Sequence, residues 1–153
     1  MENVREEMKA AHRPAVLIGI AVLVSLFVFL LAAELLRMKL APFRGFAALP
    51  GIATLRYLFY GIAVIEVLAT RLLQSLLLRR SPGDDARVTI LKLSRAAIVT
   101  LSLSEVPAIL GLVLFLLAGL NRDFYALLVV SLFLVFMYFP RLGSWQAWVE
   151  RNS

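Results

Sequence analysis

The chain has 153 residues, 61% of them hydrophobic, with a formal net charge of +6 and no cysteine. Soluble domains are roughly 45–50% apolar; here the surplus falls in long runs, which places the chain among integral membrane proteins. The missing cysteines exclude a disulfide framework, thiol chemistry and cysteine metal sites, and the positive charge belongs to stretches flanking the apolar runs, where it sets topology and meets anionic lipid rather than nucleic acid.

Residues 1–13 mix charges, with Glu2, Glu6 and Glu7 early and Lys9 and Arg13 late, an order that suits a short surface helix and its dipole. His12, the one histidine, is expected to be solvated there. The first span is expected over about 14–36, with Pro14 in its first turn, and reads as an uncleaved anchor. Glu34 and Arg37 lie at its exit, within reach of lipid headgroups. In 38–56, Pro42, Gly45, Pro50 and Gly51 break helix while Phe43, Phe46 and Leu49 favour an apolar surface. This predicts an interfacial segment, with a re-entrant or lid segment as the alternative.

The second span is expected over about 55–78 and carries Glu66, Thr70, Arg71 and Gln74, a heavy polar load for a membrane helix. Ser81-Pro82-Gly83 form a turn, and Asp84 or Asp85 caps the following helix; these two acids are read as caps rather than metal ligands. The third span, about 96–119, contains Glu105, and Pro107 is expected to kink it. Thr100, Ser104, Ala108 and Gly111 follow at helical spacing as a small-residue stripe where another helix approaches. Asn121-Arg122-Asp123 form a turn with a cap candidate before the fourth span, about 122–140. Trp145 and Trp148 mark 144–153 as an amphipathic interfacial tail.

Four spans place both termini on one side with the 79–95 loop. That side carries ten lysines and arginines against five on the other, so both termini are expected in the cytoplasm of a bacterial-type inner membrane. By helix rise, Glu66 lies roughly 18 Å, Glu105 roughly 14 Å and Arg71 roughly 10 Å from that side. Glu105 and Glu66 are therefore candidate proton or ion sites, and Arg71 the candidate ion-pair partner of Glu105 or a snorkelling cation.

Residues 57–118 resemble the helical hairpin of rotary ATP synthase c subunits. Arg80-Ser81-Pro82 stands where that family has a basic-polar-proline loop, and EVPAILGLVLFLL, starting at Glu105, is similar to its Glu-Ala-x-Ala-Ile-x-Gly-Leu-Val pattern. The resemblance implies that Glu105 carries a coupling proton by reversible protonation. The family's glycine repeat is missing: the second span holds only Gly61, two further spans flank the hairpin, and Pro107 replaces a small helix former.

No phosphate-binding glycine loop, nucleophile elbow or paired-histidine metal motif is present. The expectation is an all-α, integral membrane four-helix bundle forming a single domain, non-enzymatic and without cofactor or metal. Its partners would be the bilayer and a membrane protein or a second copy, in the role of a scaffold or accessory subunit. The alternatives are proton or ion translocation through Glu105, and lipid or small-ligand binding between helices.

Overall fold

Six helices account for most of the computed structural model, which describes residues 2–47, 51–79 and 86–150. They are α1 (Glu2–Lys39), α2 (Ile52–Leu77), α3 (Ala86–Leu103), α4 (Val106–Ala118), α5 (Asn121–Tyr138) and α6 (Leu142–Glu150). No strand occurs among the described residues. Four units are long and apolar enough to cross a membrane: α1, α2, α5 and the run Arg87–Ala118, which combines most of α3 with α4.

The expectation of a separate surface helix over 1–13 is corrected. α1 runs unbroken through Pro14 for 38 residues, roughly 57 Å at helical rise and well beyond one bilayer core. Pro14 removes one amide donor, and tertiary packing offsets that loss. Met8 and Ala15 bury against Ile90, Leu93 and Ala97 of α3 and Trp145 of α6, while Ser94 donates its hydroxyl to the Ala11 carbonyl at 3.2 Å. His12 is not solvated either. Its Nε2 donates to the Pro140 carbonyl at 3.0 Å, and its ring meets Trp145 edge-on at 5.1 Å. Trp145 is therefore buried, so α6 packs onto α1 and α3 instead of lying free as a tail. This end of the molecule, with both termini, is called the terminal end below.

The third span breaks rather than bends. Helical structure stops at Leu103 and resumes at Val106. Pro107 has no amide to donate, and the Ala108 amide turns to the Ser131 hydroxyl of α5 at 2.8 Å. The ladder restarts when the Ile109 amide reaches the Glu105 carbonyl at 3.2 Å. Thr100 and Ser104 satisfy their hydroxyls within α3, on the carbonyls of Ala96 and Thr100, each at 2.7 Å.

The small-residue stripe is where α5 comes closest. Thr100, Ser104 and Ala108 are fully buried. A β-carbon on Gly111 would lie 3.0 Å from Leu127 Cβ and 3.2 Å from the Phe124 backbone. Between helices in hydrocarbon, such close backbone approach supplies the attraction that water would otherwise provide.

At the far end, residues 42–47 dock on α4 instead of lying loose. The amides of Phe46 and Ala47 donate to the carbonyls of Leu116 and Leu117 at 2.8 and 3.0 Å, satisfying acceptors that a helix C-terminus leaves open. The contact requires two glycines. Gly45 has φ +90°, and a β-carbon there would lie 2.3 Å from the Leu117 oxygen; one on Gly119 would meet Arg44 at 2.8 Å. Phe43 also rests against Phe115 at 4.9 Å. Pro50 and the Ser81–Asp85 turn with its expected caps lie outside the described residues.

Candidate functional site

Polar side chains gather at three places between the helices. The first is the break in the third span. Glu105 is half-buried, and its carboxylate accepts a hydrogen bond from Ser25 of α1. No ion pair joins Glu105 to Arg71 among the described residues, and the Ser25 hydroxyl of α1 stands in place of the expected partner. Glu105 follows Ser94, Ala97 and Leu101, which face α1, at helical spacing, while the Ala108 amide turns toward α5.

The second lies on α2. Thr70, one helical turn after Glu66, donates to Glu66 Oε1 at 2.8 Å. The other carboxylate oxygen, Oε2, is buried without a hydrogen-bond partner. Thr70 itself is fully buried. Arg71 is exposed. It follows Tyr60, Val64 and Val67 at helical spacing, on the side of α2 turned to α5, and Tyr138 of α5 lies within electrostatic reach of both Glu66 and Arg71. The three charges expected at one depth thus divide: Glu105 bonds to α1, Glu66 bonds within α2 to Thr70, and Arg71 lies on the side of α2 that carries Val64 and Val67.

The third, at the far end, was not anticipated. Asp123 is 4% exposed at its side chain and accepts from Arg56 Nε at 2.7 Å and from the Tyr60 hydroxyl at 2.9 Å. It ties α2 to α5 and does not cap α5, whose N-cap, Leu120, makes no side-chain cap bond. Arg56 and Tyr60 are one turn apart on α2, so both face the same partner. That i,i+4 pair of donors, in the first turns of one candidate span and opposite another whose first turn holds an aspartate, was the available signal. Nearby, Glu34 accepts from Tyr125 and pairs with Arg37 at 2.8 Å, so those charges have protein partners and are not left to headgroups.

No group of three or more acids or histidines able to hold a metal ion occurs among the described residues. Comparison with protein-family models, with curated proteins and with solved structures finds no match for the chain.

Helices differ sharply in how much they bury. In α5 and in the α3–α4 unit, 39% of the residues in the most apolar window are buried; in α2 the share is 6%. Gly61, Ile65, Ala69, Leu72 and Leu76 form an exposed outer face on α2, and nothing lies within 4 Å of a β-carbon built on Gly61.

Proposed function

We propose that the protein is a non-enzymatic accessory or scaffold subunit of a membrane complex, a four-helix transmembrane bundle that offers the outer face of α2 to a helix of a partner or of a second copy. The low burial of α2 carries this reading. Gly61 and Ala69 stand eight residues apart on that face, where small residues admit a neighbouring backbone. Arg56, Tyr60 and Asp123 hold α2 to the rest of the chain at one end, which presents the face in a defined orientation. The lysine and arginine balance favours both termini in the cytoplasm and a bacterial-type inner membrane.

The test is mass in mild detergent after extraction from native membranes. The expected particle contains more than the single 17.0 kDa chain, and Gly61→Leu returns the chain to a monomer while helicity stays intact. A monomer under every mild condition would contradict the proposal.

A second reading rests on Glu105. A carboxylate in a helix break, hydrogen-bonded to a hydroxyl and unpaired with any cation among the described residues, suits a group that takes up and releases a proton, the role the c-subunit resemblance implies. Membrane carboxylates that protonate react with a hydrophobic carbodiimide. This reading expects labelling at Glu105 that Glu105→Gln abolishes and that high pH suppresses; an unlabelled intact protein at every pH would remove it.

A further inference from the structure

Beyond the Asp123 anchor, two separate spaces open beside α2 and α5, and they differ in character. Toward the terminal end lies a cavity of about 470 Å³, with Gln74 on α2, Tyr138 at the end of α5, and Arg141, Ser144, Trp145 and Trp148 beyond it. Deeper between the same helices lies a second space of about 220 Å³, faced by Ala63, Val64, Val67, Ala126 and Val130 and walled almost entirely by apolar atoms. The first volume falls within the usual range of small-molecule sites, about 300–1,000 Å³.

We infer that this groove holds an anionic phospholipid from the leaflet at the terminal end, with its phosphate at the Arg141 mouth and one acyl chain laid between α2 and α5. Three observations support that occupant. The first is length. From Gln74 to Ala63 is eleven residues, roughly 16 Å of helix, close to half of a hydrocarbon core about 30 Å thick. The two spaces together therefore cover about one leaflet from polar mouth to apolar end. The second is charge. Arg141 lines the mouth, and Arg71, which lines neither space itself, shares by helical spacing the face of α2 that carries Val64 and Val67, about two turns below Leu78, from where a guanidinium snorkels upward. Neither makes an ion pair among the described residues. A phosphate between them matches the planar, multi-donor geometry of guanidinium. The third is Trp148 at the mouth, half-buried and of the type that favours headgroup level. Zwitterionic lipid would fill the same apolar space but gain less from the two cations.

The test uses the purified full chain in detergent, titrated with phosphatidylglycerol or phosphatidylcholine of identical acyl chains and read by native mass spectrometry. Phosphatidylglycerol is expected to bind tighter by about fivefold for each arginine engaged. The double variant Arg71→Gln, Arg141→Gln is expected to lose the preference while still binding both lipids. Ala126→Trp, which fills the apolar half, is expected to weaken both lipids by about tenfold. Val129→Trp, on the exposed side of α5, should change neither. Equal binding of the two lipids to the unmodified chain would overturn the inference. So would an Ala126→Trp protein indistinguishable from Val129→Trp, or a second protein copy appearing in place of lipid. If Ala126→Trp does not fold, the arginine variant alone decides: an undiminished preference for phosphatidylglycerol rejects the site.

Discussion

Along α4, helix α5 comes so near that a β-carbon on Gly111 would meet Leu127 at 3.0 Å; along α2 the same helix stands off behind an apolar space of about 220 Å³. The residues facing α5 account for the difference. α4 presents Ala108, Gly111 and an amide that the Ser131 hydroxyl accepts. α2 presents Tyr60, Val64 and Val67, whose side chains hold the backbones apart. In hydrocarbon, apolar area alone gives two helices little reason to meet, because lipid is as apolar as leucine. Small residues and hydrogen bonds decide which pairs close. The polar anchor at Asp123 then keeps α2 attached at one end while its side stays open.

The largest expected effect comes from forcing the closed seam apart. Gly111→Leu places a large side chain against Leu127 and the Phe124 backbone and should destabilise by about 3 kcal/mol, seen as a lower thermal midpoint in detergent. Asp123→Ala should cost about 2 kcal/mol by removing a charge-assisted acceptor from Arg56 and Tyr60; double-mutant cycles with Tyr60→Phe should show coupling, and additive losses would mean the two contacts act separately. Arg56, 48% exposed at its side chain, finds water or headgroups afterwards, which limits the loss. Ser131→Ala leaves the Ala108 amide buried without its acceptor and should cost about 1 kcal/mol, with faster amide exchange at Ala108 as the local signature. Smallest is the outer face of α2. Ile65→Ala and Leu72→Ala should alter the isolated chain's stability by less than about 0.5 kcal/mol, yet lower the mass of the complex extracted from membranes.

Four apolar runs of spanning length, a distortion near Pro107 (expected as a kink, found as a break) and the small-residue stripe of the third span were legible in the sequence, because each depends on local composition and spacing. The partners of the polar residues were not. Helix rise gave comparable depths for Glu66, Arg71 and Glu105, but depth says nothing about azimuth, and Glu105 lies on the side of its helix that meets Ser25 of α1. His12 was expected in solvent and Trp145 in an interfacial tail; what half-buries the one and buries the other is contact between segments more than a hundred residues apart. The docking of 42–47 onto α4 was equally hidden, since it depends on Gly45 and Gly119 meeting across a distance in sequence that no local pattern records.

The claim that α2 is the association face is tested most directly by cysteine scanning, since the chain has no cysteine of its own and each variant carries a single reporter. Single cysteines at Gly61, Ile65, Ala69, Leu72 and Leu76, and at the exposed controls Val24 and Val129, would be cross-linked in native membranes. The account predicts products that recur with helical periodicity along the α2 outer face and are absent at both controls. Equal yields at α2 and control positions, or products only at the controls, would contradict it.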